Sequence, residues 1–487
     1  MTDTTTTSPN SDVPATPPAP LYVIGLGLPF SSNGDSPGFS RSIDHPVMAS
    51  ADVLIGGRAQ LAAFSNHPAE KLLVGADAAK LYARIENNRN AGRTQVVLCG
   101  GDPLFFGLGA RLAERFGADS LHILPGVSSL QAAAAFLGMA WEGVESVSLH
   151  GRTSRLALAH ALIRARSGGG LVFVLADAVN HPAAVAAFMK ERGCGRFIMH
   201  VLGNLHFVLH EGASRLSALS DYSEPLIPRQ SRSGQAFAAS VKAEYYARLT
   251  LDEALSLPKK PLGPDHPLQL AMLLEPQEAD AADPAWPFGV PDELLATEGE
   301  LLTKGPVRAT GLAALGIEPD HIVWDLGAGS GAVSVEVARL AFRGQVIAVE
   351  ARAGRIALIE ENRRRFGAAN LEIVPGMMPG VLEQCASLYP RPHRVFFGGG
   401  LGGGNDESSR EAAEQIFQNA WNALLPGGRI VFHCILLSSL EFVRAQLAKA
   451  GAAAEVTCVQ VSKSVPLAGD LRLQALNPVF LISARKA

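Results

Sequence analysis

The stretch Val323-Trp324-Asp325-Leu326-Gly327-Ala328-Gly329-Ser330-Gly331 decides the fold of the carboxyl-terminal half of the chain. The apolar segment Ile322–Leu326 predicts a strand that runs into a glycine-rich turn, and apolar spacing predicts a helix from about Ala332. Glycine has no Cβ, so it permits a tight turn and lets a ligand approach the backbone closely. The first N–H groups of a helix are unpaired and can hold an anionic group. This order of elements predicts a Rossmann-like α/β domain with a cofactor site at the turn.

The next predicted strand, Gln345–Val349, ends at Glu350. An acid at this place accepts hydrogen bonds from two ribose hydroxyls, as in dinucleotide-binding folds. The glycine spacing differs from the dinucleotide pattern G-x-G-x-x-G, because Gly331 follows directly after Gly329-Ser330. The order D-x-G-x-G-x-G that begins at Asp325 is the usual opening of class I methyltransferases. We therefore predict that the loop binds S-adenosylmethionine, with the methionine carboxylate at the helix N-terminus.

The amino-terminal half has three glycine- or serine-rich turns, each directly after an apolar run. They lie in Tyr22–Gly27, Gly100–Gly107 and Leu124–Ala132. Each turn is predicted at the carboxyl end of a strand, and loops at that edge of a parallel sheet are where ligands bind. The serines of the third turn supply hydroxyl and amide groups at a helix start. The cofactor contacts predicted for this half are Gly25, Gly27, Gly101, Asp102, Pro103, Ser128 and Ser129.

Short apolar strands alternate with Ala-, Leu- and Arg-rich helical stretches, which predicts α/β layers with largely parallel sheets. Proline and acidic residues cluster between Pro258 and Pro291, and proline resists regular structure, so a boundary is predicted there. We predict a disordered tail at residues 1–20, a first domain at 21–276, a linker at 277–296 and a second domain at 297–487. The predicted strands are Leu21–Ile24, Gln95–Cys99, Leu171–Leu175, Arg196–Val201, Leu268–Leu274, Ile322–Leu326, Gln345–Val349, Leu371–Val374, Arg394–Phe397 and Arg429–His433.

The composition of the 487 residues argues against several classes of protein. Apolar residues make up 47% and charged residues 18%, and a net charge of −4 gives no reason to expect a nucleic-acid partner. The five cysteines form no C-x-x-C pair, so no metal site is predicted and the count fits a reducing cytoplasm. Residues 1–20 lack a signal-peptide pattern, and no apolar run reaches the roughly 18 residues that span a bilayer. We therefore predict a cytoplasmic protein without a membrane anchor. The arginine run at 363–365 is predicted to be an exposed helix face.

Several short sequences around the glycine loop are shared with one family. They are Leu302-Thr303-Lys304, Val307-Arg308, Trp324–Gly331, Val333–Glu336, Glu361-Asn362, Phe397–Gly400 and Pro426–Arg429. In this order they resemble the carboxyl-terminal methyltransferase of the precorrin-6Y C5,15-methyltransferase (decarboxylating) family. That family usually has Gly-Asp-Ala-Pro where this chain has Gly376-Met377-Met378-Pro379, so Met378 is expected to pack against the adenine. The loop and the resemblance together assign the cofactor contacts Thr303, Asp325, Gly327, Ala328, Gly329, Ser330, Gly331, Glu350 and Met378.

The three amino-terminal turns, taken in order, resemble the tetrapyrrole (corrin/porphyrin) methylase family, which binds S-adenosylmethionine between two α/β lobes. Gly56-Gly57-Arg58, after the apolar run 51–55, fits the branch that methylates C5. The first turn departs from the usual V-G-x-G-P-G, because Gly27 is followed by Leu28-Pro29-Phe30. The two resemblances together cover about residues 21–487, and the fusion of the two domains in this order is itself typical of the precorrin-6Y family.

The resemblance implies a bifunctional enzyme of cobalamin biosynthesis with two S-adenosylmethionine sites per chain. The carboxyl-terminal domain would methylate C15 of precorrin-6B and remove carbon dioxide from the C12 acetate. The amino-terminal domain would methylate C5, and the product would be precorrin-8X. Because the substrate carries many carboxylates, basic side chains are expected to orient it, with Arg152, Lys304 and Arg308 as candidates. Lys304, Arg308 and His433 are weak candidates for a catalytic role, and for His433 a packed position is favoured.

The sequence leaves three alternatives open. The first keeps both domains and acts on the cobalt-containing precorrin of the anaerobic route. The second is a nicotinamide-dependent oxidoreductase that uses the glycine loop at 327–331. The third is a ligand-sensing scaffold without catalysis. Family likeness further suggests a homo-oligomer formed through the carboxyl-terminal domain.

Overall fold

The computed structural model describes residues 18–28, 30–31, 45–75, 77–168, 170–210, 227–230, 236–259, 270–277, 289–299, 303–399, 401 and 406–487. The residues group into two compact units. The first comprises Met1–Glu142, Leu202–Tyr246 and Asp265–Ala271, and the second comprises Gly143–Val201, Ala247–Pro264 and Met272–Ala487. The predicted tail at 1–20 lies outside the described residues except for its last three. No helix among the residues listed above is long and apolar enough to cross a membrane.

The first unit contains a five-stranded parallel sheet. Its strands follow the order β4-β3-β5-β1-β6, so β1 lies between β5 and β6. Leu21 lies opposite both Gln95 and Leu121, and the carboxyl ends of these three strands therefore meet at one edge. The elements are Leu21–Gly25 (β1), Phe30–Ser31 (β2), Pro46–Ala49 (α1), Val53–Gly56 (β3), Arg58–Ala62 (α2), Glu70–Leu73 (β4), Ala78–Asn90 (α3), Gln95–Cys99 (β5), Leu108–Phe116 (α4), Leu121–Leu124 (β6) and Ser129–Leu137 (α5), with a 3₁₀ turn at Ala118–Ser120.

The middle of the chain forms a mixed sheet in the order β10-β11-β9-β12-β8-β7, with β2 pairing β9. Strands β9, β11 and β12 each contribute residues to both compact units. In the second unit, β7 and β8 are parallel. The elements are Glu145–Ser148 (β7), Leu156–Gly168 (α6), Val172–Leu175 (β8), Pro182–Glu191 (α7), Phe197–His210 (β9), Ile227–Gln230 (β10), Ala236–Thr250 (β11), Leu251–Leu255 (α8) and Leu270–Pro276 (β12).

The carboxyl-terminal part of the second unit is a seven-stranded sheet in the order β15-β14-β13-β16-β17-β21-β18. The first five strands are parallel, and β21 is antiparallel to both of its neighbours. The elements are Gly305–Leu315 (α9), Ile322–Leu326 (β13), Ala332–Leu340 (α10), Gln345–Glu350 (β14), Ala353–Phe366 (α11), Leu371–Pro375 (β15), Gly380–Leu388 (α12), Arg394–Phe397 (β16), Glu407–Ala423 (α13), Arg429–Cys434 (β17), Leu437–Lys449 (α14), Ala454–Val459 (β18), Ser462–Leu467 (β19), Asp470–Ala475 (β20) and Val479–Arg485 (β21), with a 3₁₀ turn at Asp292–Leu294.

This sheet has the doubly wound arrangement predicted from the glycine stretch. The chain leaves β13 towards β14 and later returns to β16 on its other side, so the strand order reverses at β13. Ligands of open α/β sheets bind in the crevice at such a switch point. Leu326 lies opposite Val349 on one side and Phe397 on the other, so three strand ends meet there. The prediction of a Rossmann-like α/β domain is confirmed.

Both faces of this sheet are buried, which explains why its strands are nearly continuous apolar runs. One face packs around Trp324, Phe397 and Phe432, all at most 1% exposed. The other face packs around Val323 and Phe396. Burying a large apolar side chain contributes roughly 1.5–3 kcal/mol, so these clusters account for much of the stability of the domain.

A buried ion network fixes the segment before α9. Arg308 is fully buried, and its Nε donates to Glu336 at 2.8 Å. Its other nitrogens donate to the Asp292 carboxylate at 2.8 Å, to the Thr303 carbonyl at 2.6 Å and to the Val290 carbonyl. Every guanidinium nitrogen therefore has an acceptor, and none faces solvent. Arg308 therefore has a structural role in this network, and the substrate-orienting and catalytic roles assigned to it stay predictions.

The same network changes the end of the predicted linker. Val290 is fully buried in the carboxyl-terminal core, and its amide and that of Gly289 donate to Glu336. Leu295 is also buried. Residues 289–296 therefore pack into the second domain, because their buried backbone groups find partners in α10. The rest of the predicted domain division stays a prediction.

The predicted strands are confirmed in kind, with ends that shift by one or two residues, apart from Arg196–Val201, which is the start of the longer β9. The last one predicted for the first domain, at Leu268–Leu274, is described from Leu270 onward. The expectation of largely parallel sheets is wrong for β18 and β21, which pair antiparallel, and for the hairpin β19–β20. Strands β18 and β20 are mostly exposed, whereas β21 is mostly buried.

Replacing Arg308 with Met is expected to lower the free energy of unfolding by about 3–5 kcal/mol, because Glu336 would become an unpaired buried charge. Arg355→Met is the matched control, since Arg355 pairs with Glu298, whose side chain is 62% exposed, and its loss is expected to cost at most about 1 kcal/mol. Urea unfolding of both variants measures the difference. Equal losses would contradict the structural role of Arg308.

Candidate functional site

The glycine loop after β13 has three left-handed residues. Gly327, Gly329 and Gly331 have φ angles of 74°, 60° and 77°, a region that favours glycine. A Cβ on Gly331 would lie 2.9 Å from Cγ2 of Ile359, so close packing on α11 also requires glycine there. Among the residues that the structure describes, a Cβ on Gly329 would meet nothing within 4 Å. One side of the loop is therefore packed, and the side at Gly329 is open to a ligand.

Glu350, at the end of β14, holds this loop in shape. Its Oε2 accepts a hydrogen bond from the Gly329 amide at 2.9 Å. Its Oε1 accepts from the amides of Ala351 and Arg352 at 2.9 and 3.0 Å. The carboxylate is 6% exposed, so it is anchored by three amides beside the loop. This anchoring is a positioning role that the sequence did not reveal, and the ribose contact assigned to Glu350 stays a prediction.

Asp325 lies beneath the loop. It is 1% exposed, and Ser334 of α10 donates its hydroxyl to Oδ2 of Asp325. Oδ1 has no partner among the residues that the structure describes. Burial, with a smaller contribution from the charge of Glu350, raises the pKa of Asp325 to about 7. In this position Asp325 fastens the start of α10 to the strand end.

The other predicted contacts of this half lie around the loop and at the start of α9. Ser330 is buried, and its carbonyl accepts a hydrogen bond from the Asn362 amide at 2.9 Å. The Ala328 amide donates to Val349 at 3.0 Å. Thr303 and Lys304 are half-buried immediately before α9, and Met378 packs half-buried against the core. Their cofactor and substrate roles stay predictions.

An apolar cavity of about 290 Å³ lies at the carboxyl ends of β16 and β17. Gly399 is part of its wall, and a Cβ on Gly327 would lie 3.9 Å from the Gly399 carbonyl, so the cavity adjoins the glycine loop. Ile435 and Leu436 in the wall are 63% and 55% exposed. The sequence did not reveal this cavity, although a position after β17 at the ligand-binding edge of the sheet is a signal for one. The lining residues are Phe397, Gly399, Leu401, Phe432, His433, Cys434, Ile435, Leu436 and Ser439.

The His433 ring packs inside the fold. It meets Phe396 edge to face at 4.9 Å, and a Cβ on Gly311 would lie 2.5 Å from its Nε2. Both ring nitrogens are buried without a partner among the described residues. Burial lowers the pKa of His433 to about 4, so the imidazole is neutral at pH 7. These observations favour a packed histidine over a proton carrier.

The three amino-terminal turns meet at the ends of β1, β5 and β6. Gly27 and Gly101 form an antiparallel bridge, with hydrogen bonds of 3.3 and 3.0 Å between their backbones. A Cβ on Gly25 would lie 2.6 Å from the Gly126 amide and 2.7 Å from Cδ of Pro103. Glycine is therefore required by backbone contact at this point. The structure brings the predicted turns together as one loop cluster.

Asp102 and Ser128 hold that cluster. Oδ1 of Asp102 accepts from the amides of Leu104 and Phe105 at 2.8 and 3.2 Å, and Oδ2 accepts from Gly126 at 3.3 Å. Ser128 caps α5, whose first residue is Ser129. Asp102 is thus a bridge between two turns, a role that its place in a Gly-Asp-Pro turn did not reveal. The cofactor contacts assigned to these residues stay predictions.

Arg152, the predicted substrate contact of the amino-terminal domain, is exposed on the turn after β7. Asn180 holds that turn, because its amide donates to the Arg152 carbonyl at 2.9 Å and to the Leu149 carbonyl at 2.9 Å. The guanidinium is free to reach solvent on an anchored backbone, and its substrate role stays a prediction.

Comparison with known proteins assigns a family to each half of the chain. Residues 46–201 match the family described as Tetrapyrrole (Corrin/Porphyrin) Methylases, and residues 293–486 match the Precorrin methyltransferase domain. A precorrin-6Y C(5,15)-methyltransferase (decarboxylating) from Sinorhizobium sp is 28% identical over 80% of this chain and 79% of its own length.

Two relatives from Salmonella typhimurium each match one part of the chain. A cobalt-precorrin-6B C(15)-methyltransferase (decarboxylating) is 35% identical over 40% of this chain and 95% of its own length. A cobalt-precorrin-7 C(5)-methyltransferase is 34% identical over 38% of this chain and 85% of its own length.

The switch-point glycine loop, the anchored acid after β14 and the family matches define an α/β methyltransferase, for which S-adenosylmethionine is the methyl donor. The chain belongs to the precorrin-6Y C5,15-methyltransferase (decarboxylating) family. The predicted fusion of a tetrapyrrole methylase domain with a class I methyltransferase domain is confirmed.

The buried His433 predicts a particular pH dependence of stability. Its folded pKa of about 4 lies below the ordinary value of 6.5, so its contribution is complete above pH 6.5 and is lost as the pH falls to about 4. The full loss is roughly 3 kcal/mol. Compared with the wild type, His433→Leu is expected to lose up to about 3 kcal/mol less unfolding free energy between pH 7 and 4.5, whereas His150→Leu, at an exposed histidine, keeps the wild-type pH dependence. Identical slopes would contradict a neutral buried imidazole.

Proposed function

We propose that the carboxyl-terminal domain transfers a methyl group from S-adenosylmethionine to C15 of a precorrin macrocycle and removes carbon dioxide from its C12 acetate. The observation that carries the proposal is the open side of the glycine loop at Gly329 beside the apolar cavity at Gly399. The loop would hold the donor, and the cavity would receive the edge of the macrocycle. The name of the Sinorhizobium relative supports this reaction and its pairing with a C5 methylation.

The residues of the loop fit this donor. Gly329 leaves room for close approach, and the N-terminus of α10 provides amides for the methionine carboxylate. Glu350 keeps the amide of Gly329 in place and has oxygen lone pairs left for a ribose hydroxyl. Met378 would pack on the adenine. Thr303 and Lys304, at the start of α9, would complete the site.

The reaction requires mainly that the protein position the donor methyl group against the acceptor carbon. The bound sulfonium supplies an activated methyl group, which passes to a nucleophilic carbon as the carbon–sulfur bond breaks. Phe397, Leu401 and Phe432 make the cavity apolar, so they exclude water and align the acceptor carbon. A carboxylate brought beside these side chains would lose hydration, which favours its departure as carbon dioxide; the electron pair of the broken carbon–carbon bond would pass into the conjugated macrocycle, and the remaining CH2 would take up a proton. Lys304 would orient the remaining carboxylates.

We further propose a second donor site in the amino-terminal loop cluster, for methylation of C5. Gly101 supports it: with a φ of 69°, its nearest contact to an added Cβ among the described residues is 3.7 Å away, which leaves an open side of the turn. Gly25, Gly27, Pro103, Ser128 and Ser129 would line the donor site, and Asp102 would hold their turns in place. Arg152 would orient carboxylates of the macrocycle.

The metal-free and the cobalt-containing macrocycle are the two candidate substrates. The Sinorhizobium relative carries a precorrin name, and the two Salmonella typhimurium relatives carry cobalt-precorrin names. We favour precorrin-6B, with precorrin-8X as product, because the relative that spans both domains bears the metal-free name. A cytoplasmic enzyme that forms homo-oligomers through its carboxyl-terminal domain is part of the same proposal.

Titration with S-adenosylhomocysteine is expected to give two sites per chain. Gly329→Arg should remove the carboxyl-terminal site alone, and Gly101→Arg the amino-terminal site alone, because each side chain would fill the donor's place. Gly451→Arg is the control, since Gly451 has a φ of 70° and open space but lies after α14. Calorimetry of all four proteins tests this expectation. A single wild-type site, or loss of both sites in one variant, would defeat the two-site proposal.

Mass spectrometry of the product identifies the reaction. With precorrin-6B and S-adenosylmethionine, the wild type is expected to add two methyl groups and release carbon dioxide. The Gly329→Arg variant is expected to retain the carboxylate and add no methyl group at C15. If only the cobalt-containing substrate were converted, the enzyme would belong to the anaerobic route. If neither the metal-free nor the cobalt-containing tetrapyrrole were altered, the proposed reaction would be refuted.

A further inference from the structure

Helix α7 and the turn after it contact the edge of the carboxyl-terminal sheet. Arg192, which is 6% exposed, makes the main contact. One terminal nitrogen of Arg192 donates to the carbonyls of Ala369 and Leu371 at 2.7 and 3.0 Å. The other donates to both carboxylate oxygens of Glu372 at 2.8 Å. Arginine has the planar fork that such a paired geometry needs, and lysine does not.

In a second ion pair the arginine comes from the class I methyltransferase domain and the carboxylate from α7. Arg363, near the end of α11, donates to Glu191 at the end of α7 at 2.8 Å. Arg363 is 5% exposed, so the predicted exposed face of the arginine run is wrong at this position. Two buried guanidinium groups therefore each reach from one domain to a carboxylate of the other. A buried arginine is costly without its partner, so the two surfaces are matched to each other.

Backbone contacts accompany the ion pairs. Gly193 has a φ of 72°, and a Cβ there would lie only 1.8 Å from the Arg364 carbonyl. His160 of α6 donates its Nε2 hydrogen to the Gly344 carbonyl at 2.7 Å. Burial lowers the pKa of His160, which is consistent with a neutral ring that donates one hydrogen bond. Gly193 and His160 thus contact backbone carbonyls of the class I methyltransferase domain directly.

These contacts join residues that belong to two different family matches. Helix α7 and its turn lie within the tetrapyrrole methylase match, whereas α11 and β15 lie within the precorrin methyltransferase match. All of these residues nevertheless belong to the second compact unit. Strand β15 is an edge strand of its sheet, and an edge offers unpaired carbonyls to any partner. Arg192 occupies the carbonyls at the start of that edge.

We infer that the surface formed by His160, Glu191, Arg192 and Gly193 is a docking site for the class I methyltransferase domain of the same chain. It joins the carboxyl-terminal lobe of the tetrapyrrole methylase domain to the edge of β15 and makes the two one cooperative unit. The two Salmonella typhimurium relatives are covered over 95% and 85% of their own lengths by 40% and 38% of this chain, so each is a shorter protein named for one of the two methylations. Docking is therefore a role of this surface that is separate from the two proposed methyl transfers.

Hydrogen exchange on the full-length chain tests the docking. Gly193→Ala is expected to speed exchange of the backbone amides of residues 371–374 in β15 by about ten-fold or more, because the new Cβ would displace the Arg364 carbonyl. Gly451→Ala is the matched control, since its φ of 70° carries the same strain and a Cβ there meets nothing within 4 Å. Unchanged exchange at β15 in Gly193→Ala would overturn the inference.

Cleavage after folding provides an independent test. A specific protease site placed at residues 280–285 of the full chain would separate the two domains covalently. The cut wild-type halves are expected to co-elute at the mass of one chain, and Glu372→Arg to release them, because it would face Arg192 and Arg363. Glu383→Arg, at an exposed acid on α12, is the control that keeps them together. Wild-type halves that separate, or that co-elute only as a multiple of the chain mass, would overturn an intramolecular docking site.

Discussion

Close approach of backbone segments at the carboxyl ends of parallel strands shapes both loop clusters. At the ends of β1 and β6, Gly25 and Gly126 lie so near each other that a single methyl group would collide with an amide. At the end of β13, Gly331 has the same constraint against α11. Because the packed side of each loop admits no side chain, the amides point in fixed directions and the opposite side is left open.

Acidic side chains keep these backbones in place. Glu350 accepts three amide hydrogen bonds beside the carboxyl-terminal loop, and Asp102 accepts three in the amino-terminal cluster. An ionised carboxylate makes stronger hydrogen bonds than a neutral acceptor, so each acid holds a turn that glycine leaves flexible. The two domains have unrelated topologies but share this device: glycine for access and a carboxylate for rigidity.

Buried arginines perform a different task in the second unit. Arg308 has an acceptor for each nitrogen, and it ties the segment at 289–296 to α9 and α10. Arg192 and Arg363 do the same between α7 and the edge of the class I sheet. A fork of five donors can satisfy several carbonyls and a carboxylate at once, which suits places where loops meet sheet edges.

The sequence by itself determined the class of fold, the places of both glycine clusters and the family, because glycine spacing and apolar strands act locally along the chain. It predicted β13, β16 and the helix from Ala332 within a residue or two for the same reason. Only the tertiary structure decided what Arg308, Arg363 and His433 do, since burial and partners depend on residues that are distant in sequence. It also placed the apolar cavity beside Gly399 and paired Arg192 with Glu372, 180 residues away. Side chains of the same type thus serve substrate, core or interface according to the surfaces that folding brings against them.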